Sequence, residues 1–258
     1  MYKIGLKLWS INTDYYYDEA IRLFDEGVFD YIELYVVPDT TDTLKKWKNL
    51  KIPFAIHAPH FVHGLNFSDS AKRTYNNVLV EQTRHFSDEL EAKYTVFHPG
   101  IGGTINETIY QLKNIKNFNF LIENKPSIVN ITRLQKDDFC IGSTYEHIKT
   151  ILTEIDCGFC LDIGHAIAAA NYQHIDIYKY LNKMNLFKPF TYHISDIDIN
   201  SIYDQHLHFG DGSLDFSKIK NLFNINSHIA IETNKDSKFN LQDYRQDSKY
   251  IKGIYEKK

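Results

Sequence analysis

Six stretches of this 258-residue chain end in a side chain that can bind a metal ion. Ile56-His57-Ala58-Pro59, Phe97-His98-Pro99-Gly100, Leu121-Ile122-Glu123-Asn124, Cys160-Leu161-Asp162-Ile163-Gly164-His165, Tyr192-His193-Ile194-Ser195-Asp196 and Ile231-Glu232-Thr233 all close an apolar run this way. A seventh stretch, Asp204-Gln205-His206-Leu207-His208-Phe209-Gly210-Asp211-Gly212, adds an acid and further imidazoles. Imidazole and carboxylate suit zinc, iron or manganese, and a carboxylate can bridge two ions where a histidine normally does not. Five histidines (His57, His98, His165, His193, His206) and four acids (Glu123, Asp162, Asp204, Glu232) exceed what one ion takes. Two or three zinc ions sharing carboxylates are therefore expected, with manganese or iron(II) as chemically admissible substitutes. Clustered divalent ions activate water and clamp the attacking and leaving oxygens of a phosphoryl centre. An isolated His or Glu at a strand end is usually structural, but a run of them is not, because unpaired polar groups there cost several kcal/mol. His60, His63 and His208 read as loop residues or substrate contacts rather than ligands.

The elements that must deliver these residues follow from periodicity. Eight apolar runs, at 3–9, 31–36, 53–57, 94–98, 118–123, 158–162, 190–194 and 228–232, alternate with amphipathic stretches near 15–26, 41–49, 70–91, 105–115, 144–155, 174–186, 215–223 and 241–256. Eight strand-helix units in about 250 residues predict an α/β fold, a (β/α)8 TIM barrel formed as a single domain over residues 1–258. The strand ends then meet at the C-terminal mouth, where such barrels keep their active sites. In the first helical stretch Ala20, Ile21 and Phe24 form one stripe, and Gly27 reads as a left-handed cap. Ser143 with Glu146 reads as a capping box. The stretches 58–69 and 195–214 are too long for tight turns and are expected to carry substrate contacts. Lys45-Lys46-Trp47-Lys48 reads as a solvated helix face with a partly buried Trp.

Composition narrows the partners. Lys plus Arg at 29 against Asp plus Glu at 33 gives a net charge of -4, without the global basicity of a non-specific nucleic-acid binder. Bound cations could still reverse the field locally. Cys140, Cys157 and Cys160 are too few for a disulfide framework and fit a reducing compartment; Cys157-Gly158-Phe159-Cys160 on a strand would point its thiols to opposite faces. With no run approaching the roughly 20 apolar residues of a membrane span and no continuous signal-peptide core, a cytoplasmic monomer is expected.

The set His57-Ala58-Pro59, His98-Pro99-Gly100, Glu123-Asn124, Cys160-Leu161-Asp162-Ile163-Gly164-His165-Ala166-Ile167-Ala168-Ala169, His193-Ile194-Ser195-Asp196, Asp204-Gln205-His206 with Gly210-Asp211-Gly212, and Glu232-Thr233 resembles the endonuclease IV family (apurinic/apyrimidinic endonuclease family 2) of the xylose-isomerase-like barrels. The resemblance implies a zinc-dependent hydrolase of DNA repair, which cuts the phosphodiester 5′ to an abasic site with a trinuclear zinc centre. It would place His57, His98 and Glu123 on one ion, Glu123 bridging to a second held by Asp162, His193 and Glu232, and His165, Asp204 and His206 on a third. A bridging hydroxide would attack phosphorus, making Glu123 and Glu232 the catalytic carboxylates, Glu232 by orienting that hydroxide. The chain departs from the family pattern in three places. His60-Phe61, expected to touch substrate, stands where the family has a Tyr and its neighbour that wedge into DNA; Lys125-Pro126 replaces a small, Gly-containing turn; Gln205 replaces an Arg. Two alternatives remain open on sequence: a single-metal sugar or sugar-phosphate isomerase or epimerase using Glu123, Asp162, His193 and Glu232, and a non-catalytic metal-binding barrel.

Overall fold

Alternation of side chains along each strand decides what fills the centre of this fold. On β1 (Lys3–Trp9) and β2 (Tyr31–Tyr35), Ile4, Leu6, Leu8, Ile32 and Leu34 pack outward into the main apolar core. Their neighbours in sequence point to the other face. The computed structural model, which describes residues 2–131, 136–223 and 226–256, continues this pattern through β3 (Phe54–His57), β4 (Thr95–Phe97), β5 (Leu121–Glu123), β8 (Gly158–Asp162), β9 (Thr191–Ile194) and β10 (His228–Ile231). These eight strands close into a parallel barrel in the order β1-β10-β9-β8-β5-β4-β3-β2. The expected TIM-barrel fold is the fold observed.

Inside the barrel, Tyr31, Ala55, Tyr94, Val96, Leu121 and Cys160 form a separate small cluster. Gly5 pairs in register with Tyr31, and a Cβ at Gly5 would lie 2.4 Å from the Tyr31 ring, so glycine is what lets that ring fill the lumen. One step nearer the C-terminal mouth the inward residues are charged. The register sets Lys7 beside Glu33 and Asp162 beside His193.

Around the barrel run α1 (Thr13–Asp25), α2 (Leu44–Lys48), α3 (Arg73–Glu89), α4 (Ile105–Lys113), α5 (Tyr145–Glu154), α6 (Ile163–Tyr172), α7 (Ile177–Asn185), α8 (Phe216–Ile219) and α9 (Gln242–Glu256). Gly27, at φ 67°, does follow α1 in the left-handed conformation. Four features depart from the sequence expectation, the first being α6 itself, a helix where none was expected. The cap of α5 is Thr144, whose hydroxyl accepts from His147 N, while Ser143 Oγ donates to the Cys140 carbonyl. Trp47 is fully buried, its indole donating to Ser10 O at 2.8 Å, and the flanking Lys46 and Lys48 pair with Asp14 and Glu89. An antiparallel hairpin, β6 (Ile128–Ile131) with β7 (Lys136–Phe139), stands after β5 where no strands were expected. Among the described residues no helix is long and apolar enough to cross a membrane.

Candidate metal centre

The charged layer of the barrel opens into a cavity of about 640 Å³ at the C-terminal mouth. Its floor holds Lys7, His57, His98, Glu123, His165 and Glu232; its sides include Trp9, Tyr35, His60 and Phe61, the hairpin residues Ile128, Val129 and Asn130, and the loop residues Tyr203, Asp204 and His206. His60 and Phe61 line the cavity. His63 instead bonds the Tyr35 hydroxyl at 2.7 Å, and His208 bonds Asp247 and Asp236.

All nine expected donors gather here, around Glu123. Its Oε2 lies 3.1 Å from His57 Nε2 and 3.2 Å from both His98 Nε2 and His193 Nδ1, while Oε1 lies 2.9 Å from His165 Nδ1. His193 Nδ1 is also 2.9 Å from Glu232 Oε1, and Asp204 Oδ2 stands 3.3 Å from His165 Nε2 and 2.7 Å from His206 Nε2. Several of these close approaches are not hydrogen bonds. Both nitrogens of His98 and of His193, with Glu123 Oε1 and His206 Nδ1, are buried without a hydrogen-bond partner. Buried polar atoms left unpaired cost about 1–3 kcal/mol each. Atoms 3 Å apart that do not point at one another are what ligands of a shared ion look like, since each lone pair aims at a common point. Ligand atoms lie within 4.8 Å of one another in His57–His98–Glu123, His57–His193–Glu232, Glu123–Asp162–His165 and Glu123–Cys160–His193. The residues therefore fit divalent ions at the centre of the barrel mouth.

Local structure aims these donors. His57 Nδ1 is 2.7 Å from the Ala58 carbonyl, so it carries the proton and Nε2 keeps its lone pair for Glu123's side of the cavity. Asp162 caps α6 by accepting from His165 N at 2.6 Å, which locks both residues into one turn. Asp196 accepts from the backbone N–H groups of Ile197, Gly210, Gly212 and Leu214, folding the loop that presents Asp204 and His206.

Electrostatics favour cations. Glu33, Glu123, Asp162, Asp204 and Glu232 outnumber Lys7, Lys125 and Lys235, and the excess carboxylate holds protons on neighbouring groups. Although burial works against it, His165 is pushed up to about 10, chiefly by Asp162 and then Asp204. His206 rises to about 9 against burial, through Asp204. Burial, reinforced by the nearby carboxylates Asp204, Glu123 and Glu232 and opposed by His165, raises Asp162 to about 6. Divalent ions would displace those protons.

Lys7 and Glu33 were not singled out from sequence. Lys7 Nζ bridges Glu33 at 2.7 Å and Glu232 at 2.6 Å, and Glu33 stands 2.9 Å from His193 Nε2. The available signal was a charged residue in the middle of each of two apolar strands, a position that only a paired charge tolerates. Cys160 is buried and Cys157 half-buried, both free thiols pushed up by burial, so neither is a ready nucleophile.

A closed parallel barrel that gathers histidines and carboxylates from six strand ends and one loop is a (β/α)8 barrel whose mouth carries groups able to hold metal ions. Residues 21–254 match the family described as xylose isomerase-like TIM barrel, and the chain belongs to that family. Over 180 residues, 64% of this chain and 60% of the relative, it is 26% identical to the probable endonuclease 4 of Thermoplasma volcanium. The match therefore spans less than two thirds of that relative's length. Among solved structures it is similar to a D-tagatose 3-epimerase-like protein (TM-score 0.72, 21% identity, 98% of this chain and 97% of that one). It is equally similar to endonuclease IV of Thermus thermophilus (TM-score 0.72, 16% identity, 99% and 100%). These structural likenesses are of fold.

Proposed function

We propose that the chain is a metal-dependent phosphodiester hydrolase of the endonuclease IV type, cutting DNA 5′ to abasic sites with a multinuclear zinc centre. The observation that carries this reading is Glu123: one carboxylate within 3.2 Å of four imidazoles. A single-metal isomerase has no use for His57, His98, Asp204 and His206 as donors, yet all four stand in the cluster. When bound, the ions would supply Lewis acidity at the phosphoryl group and an activated water. His57, His98 and Glu123 would hold one, Glu123, Asp162, His193 and Glu232 a second, and His165, Asp204 and His206 are the donors for a third.

The chain's own groups orient the reacting partners. Lys7 fixes the Glu232 carboxylate from below, so that its position next to His193 does not depend on substrate. Glu33 lies 2.9 Å from His193 Nε2, so that its negative charge faces that side of the ring while Nδ1 is turned toward Glu123 and Glu232. Tyr35 stacks on His57, and His60 on His98, which buttresses both imidazoles from the aromatic side of the cavity. Incision of a duplex carrying one abasic analogue, with intact duplex as control and with chelator-treated protein, tests the reading. Chelator-sensitive cutting at the analogue is expected. Metal-loaded protein that leaves the analogue intact would refute it.

A second reading, a sugar or sugar-phosphate isomerase or epimerase, draws on the cavity itself. The hairpin places Ile128, Val129 and Asn130 on its wall, and a walled cavity of about 640 Å³ suits a small molecule. Turnover of keto-sugars by protein inactive on DNA would favour it.

A further inference from the structure

The register that pairs Lys7 with Glu33 at the charged level of the barrel pairs Trp9 with Tyr35 two residues further on. Side chains two apart on a strand share a face, so Trp9 stands on the same side as Lys7, about 7 Å nearer the mouth. The indole lines the cavity and keeps 41% of its surface exposed, whereas Trp47, the chain's other tryptophan, is fully buried. Its orientation is fixed by its neighbours. Tyr35 meets it with ring centroids 5.0 Å apart and planes at 32°, and His63 meets it edge-on at 5.6 Å. Tyr35 is itself held, because its hydroxyl accepts from His60 N at 3.0 Å and bonds His63 Nδ1 at 2.7 Å while its ring stacks on His57. Asn12 Oδ1 accepts from the Trp9 backbone N–H at 2.7 Å and so secures the end of β1. A large ring already ordered before anything binds loses little freedom when a ligand settles on it.

The cavity lining is divided in chemistry. The adjacent strands β1, β2 and β3 bring Trp9, Tyr35, His60 and Phe61 to one side of it. Strands β5, β9 and β10, with the loops that follow them, bring Glu123, Asp204 and Glu232 together with the ammonium groups of Lys125 and Lys235. A ligand that uses both sides carries an anionic group for the bound cations and a flat ring for the indole. A nucleotide joins the two within one unit, its phosphate and its base separated by a single sugar.

We propose that Trp9 is the platform of a base-stacking subsite, which takes the unpaired base of a nucleotide whose phosphate lies at the metal centre. The inference rests on the reading of the chain as a phosphodiester hydrolase of DNA, and it makes a base beside the scissile phosphate a second point of recognition. Every base has a π-face, so stacking distinguishes a base from a bare sugar and not one base from another.

The test is a calorimetric titration of the zinc-loaded parent, Trp9→Leu and Trp9→Tyr chains with 2′-deoxyadenosine 5′-monophosphate and with its base-less analogue, tetrahydrofuran 5′-phosphate. The parent should bind the nucleotide about tenfold more tightly than the analogue. Trp9→Leu should erase that preference and leave the Kd of the analogue within about twofold of the parent's, while Trp9→Tyr keeps most of the preference. With Trp47 buried, the nucleotide should also protect the iodide-accessible tryptophan emission of the parent. A merely structural role for Trp9 would weaken both ligands alike, and that result overturns the inference. So does a parent that fails to bind the nucleotide, a parent that binds both ligands equally as a sugar-phosphate enzyme would, or a preference that survives in Trp9→Leu. Incision of the abasic duplex is scored separately. Cutting without the preference overturns the inference and leaves the hydrolase reading standing, whereas the preference without cutting overturns the hydrolase reading and leaves the stacking subsite.

Discussion

Glu123 and His98 have different stakes in the centre. Glu123 touches four imidazoles, whereas His98 touches one carboxylate oxygen and has both nitrogens otherwise free. Glu123→Gln removes the bridging charge and should abolish binding of both ions, while His98→Ala should cost one ion per chain. Hydrolysis should fall below detection in both. Full zinc occupancy in either variant, measured on folded protein, would refute the ligand assignment. At this scale the sequence was informative wherever a donor ended an apolar run, because the barrel rule converts strand-end position into convergence. It said less about Lys7, Glu33 and Lys125. Their importance comes from who stands opposite in register or across the lumen, which a single sequence does not state.

Asp196 governs the loop between β9 and α8. Its two oxygens accept four backbone N–H groups, at 2.8–3.2 Å, and the residue is buried. Gly212 approaches so closely that a Cβ there would lie 2.4 Å from Asp196 Oδ1. Asp196→Ala leaves those donors buried and unmet, a loss of about 2–4 kcal/mol of stability. Chemical denaturation should read that loss, and proteolysis should cut first within 198–213. An unchanged denaturation midpoint would remove Asp196 from its organising role. Periodicity found the eight strands and the helices with a polar face. It passed over α6, whose residues from Ile163 to Ala170 are all buried and so lack the alternation that marks a helix, and the β6–β7 hairpin, whose second strand, Lys136-Asp137-Asp138-Phe139, contains no apolar run.

The opposite, N-terminal end of the barrel is closed by His228, a neutral group held by a cation. Burial first, then Lys93 and Lys3, bring it from 6.5 down to about 4, and Lys93 donates to its Nε2 at 3.1 Å. Phe190 stacks on the ring at 5.1 Å. Folded His228 therefore resists the proton that the unfolded chain accepts. Between pH 6.5 and 4 the unfolded state binds more protons, so stability falls with acid across that window and levels off below it. The contribution is on the order of 2 kcal/mol, since each tenfold loss of proton affinity on folding is worth about 1.4 kcal/mol and the ring keeps part of its solvation. His228→Gln should flatten that part of the stability-pH curve relative to the parent, and parallel curves would refute the assignment.

Substrate class is a property of the molecule's whole field, and the field here is unusual for a protein acting on DNA. The chain carries a net charge of -4, and the cavity is lined by three lysines, of which Lys7 is neutralised by Glu33 and Glu232. Affinity for duplex DNA falls with salt by about 0.9 logarithmic units per tenfold change for each phosphate neutralised. With Lys125 and Lys235 as the cavity's available cations, the slope for an abasic duplex should be no steeper than about -2. Kd measured across a series of salt concentrations on metal-loaded protein reads this directly. A slope near about -2 fits an enzyme that grips the lesion in its cavity and little of the flanking backbone. A slope of about -5 or steeper would require a basic surface outside the cavity and would refute recognition confined to it. A small phosphoester, bound by the same cavity with no polyanion to shed counterions, should show almost no salt dependence, so the pair of slopes separates the hydrolase of DNA from an enzyme of small molecules without requiring that either substrate be turned over.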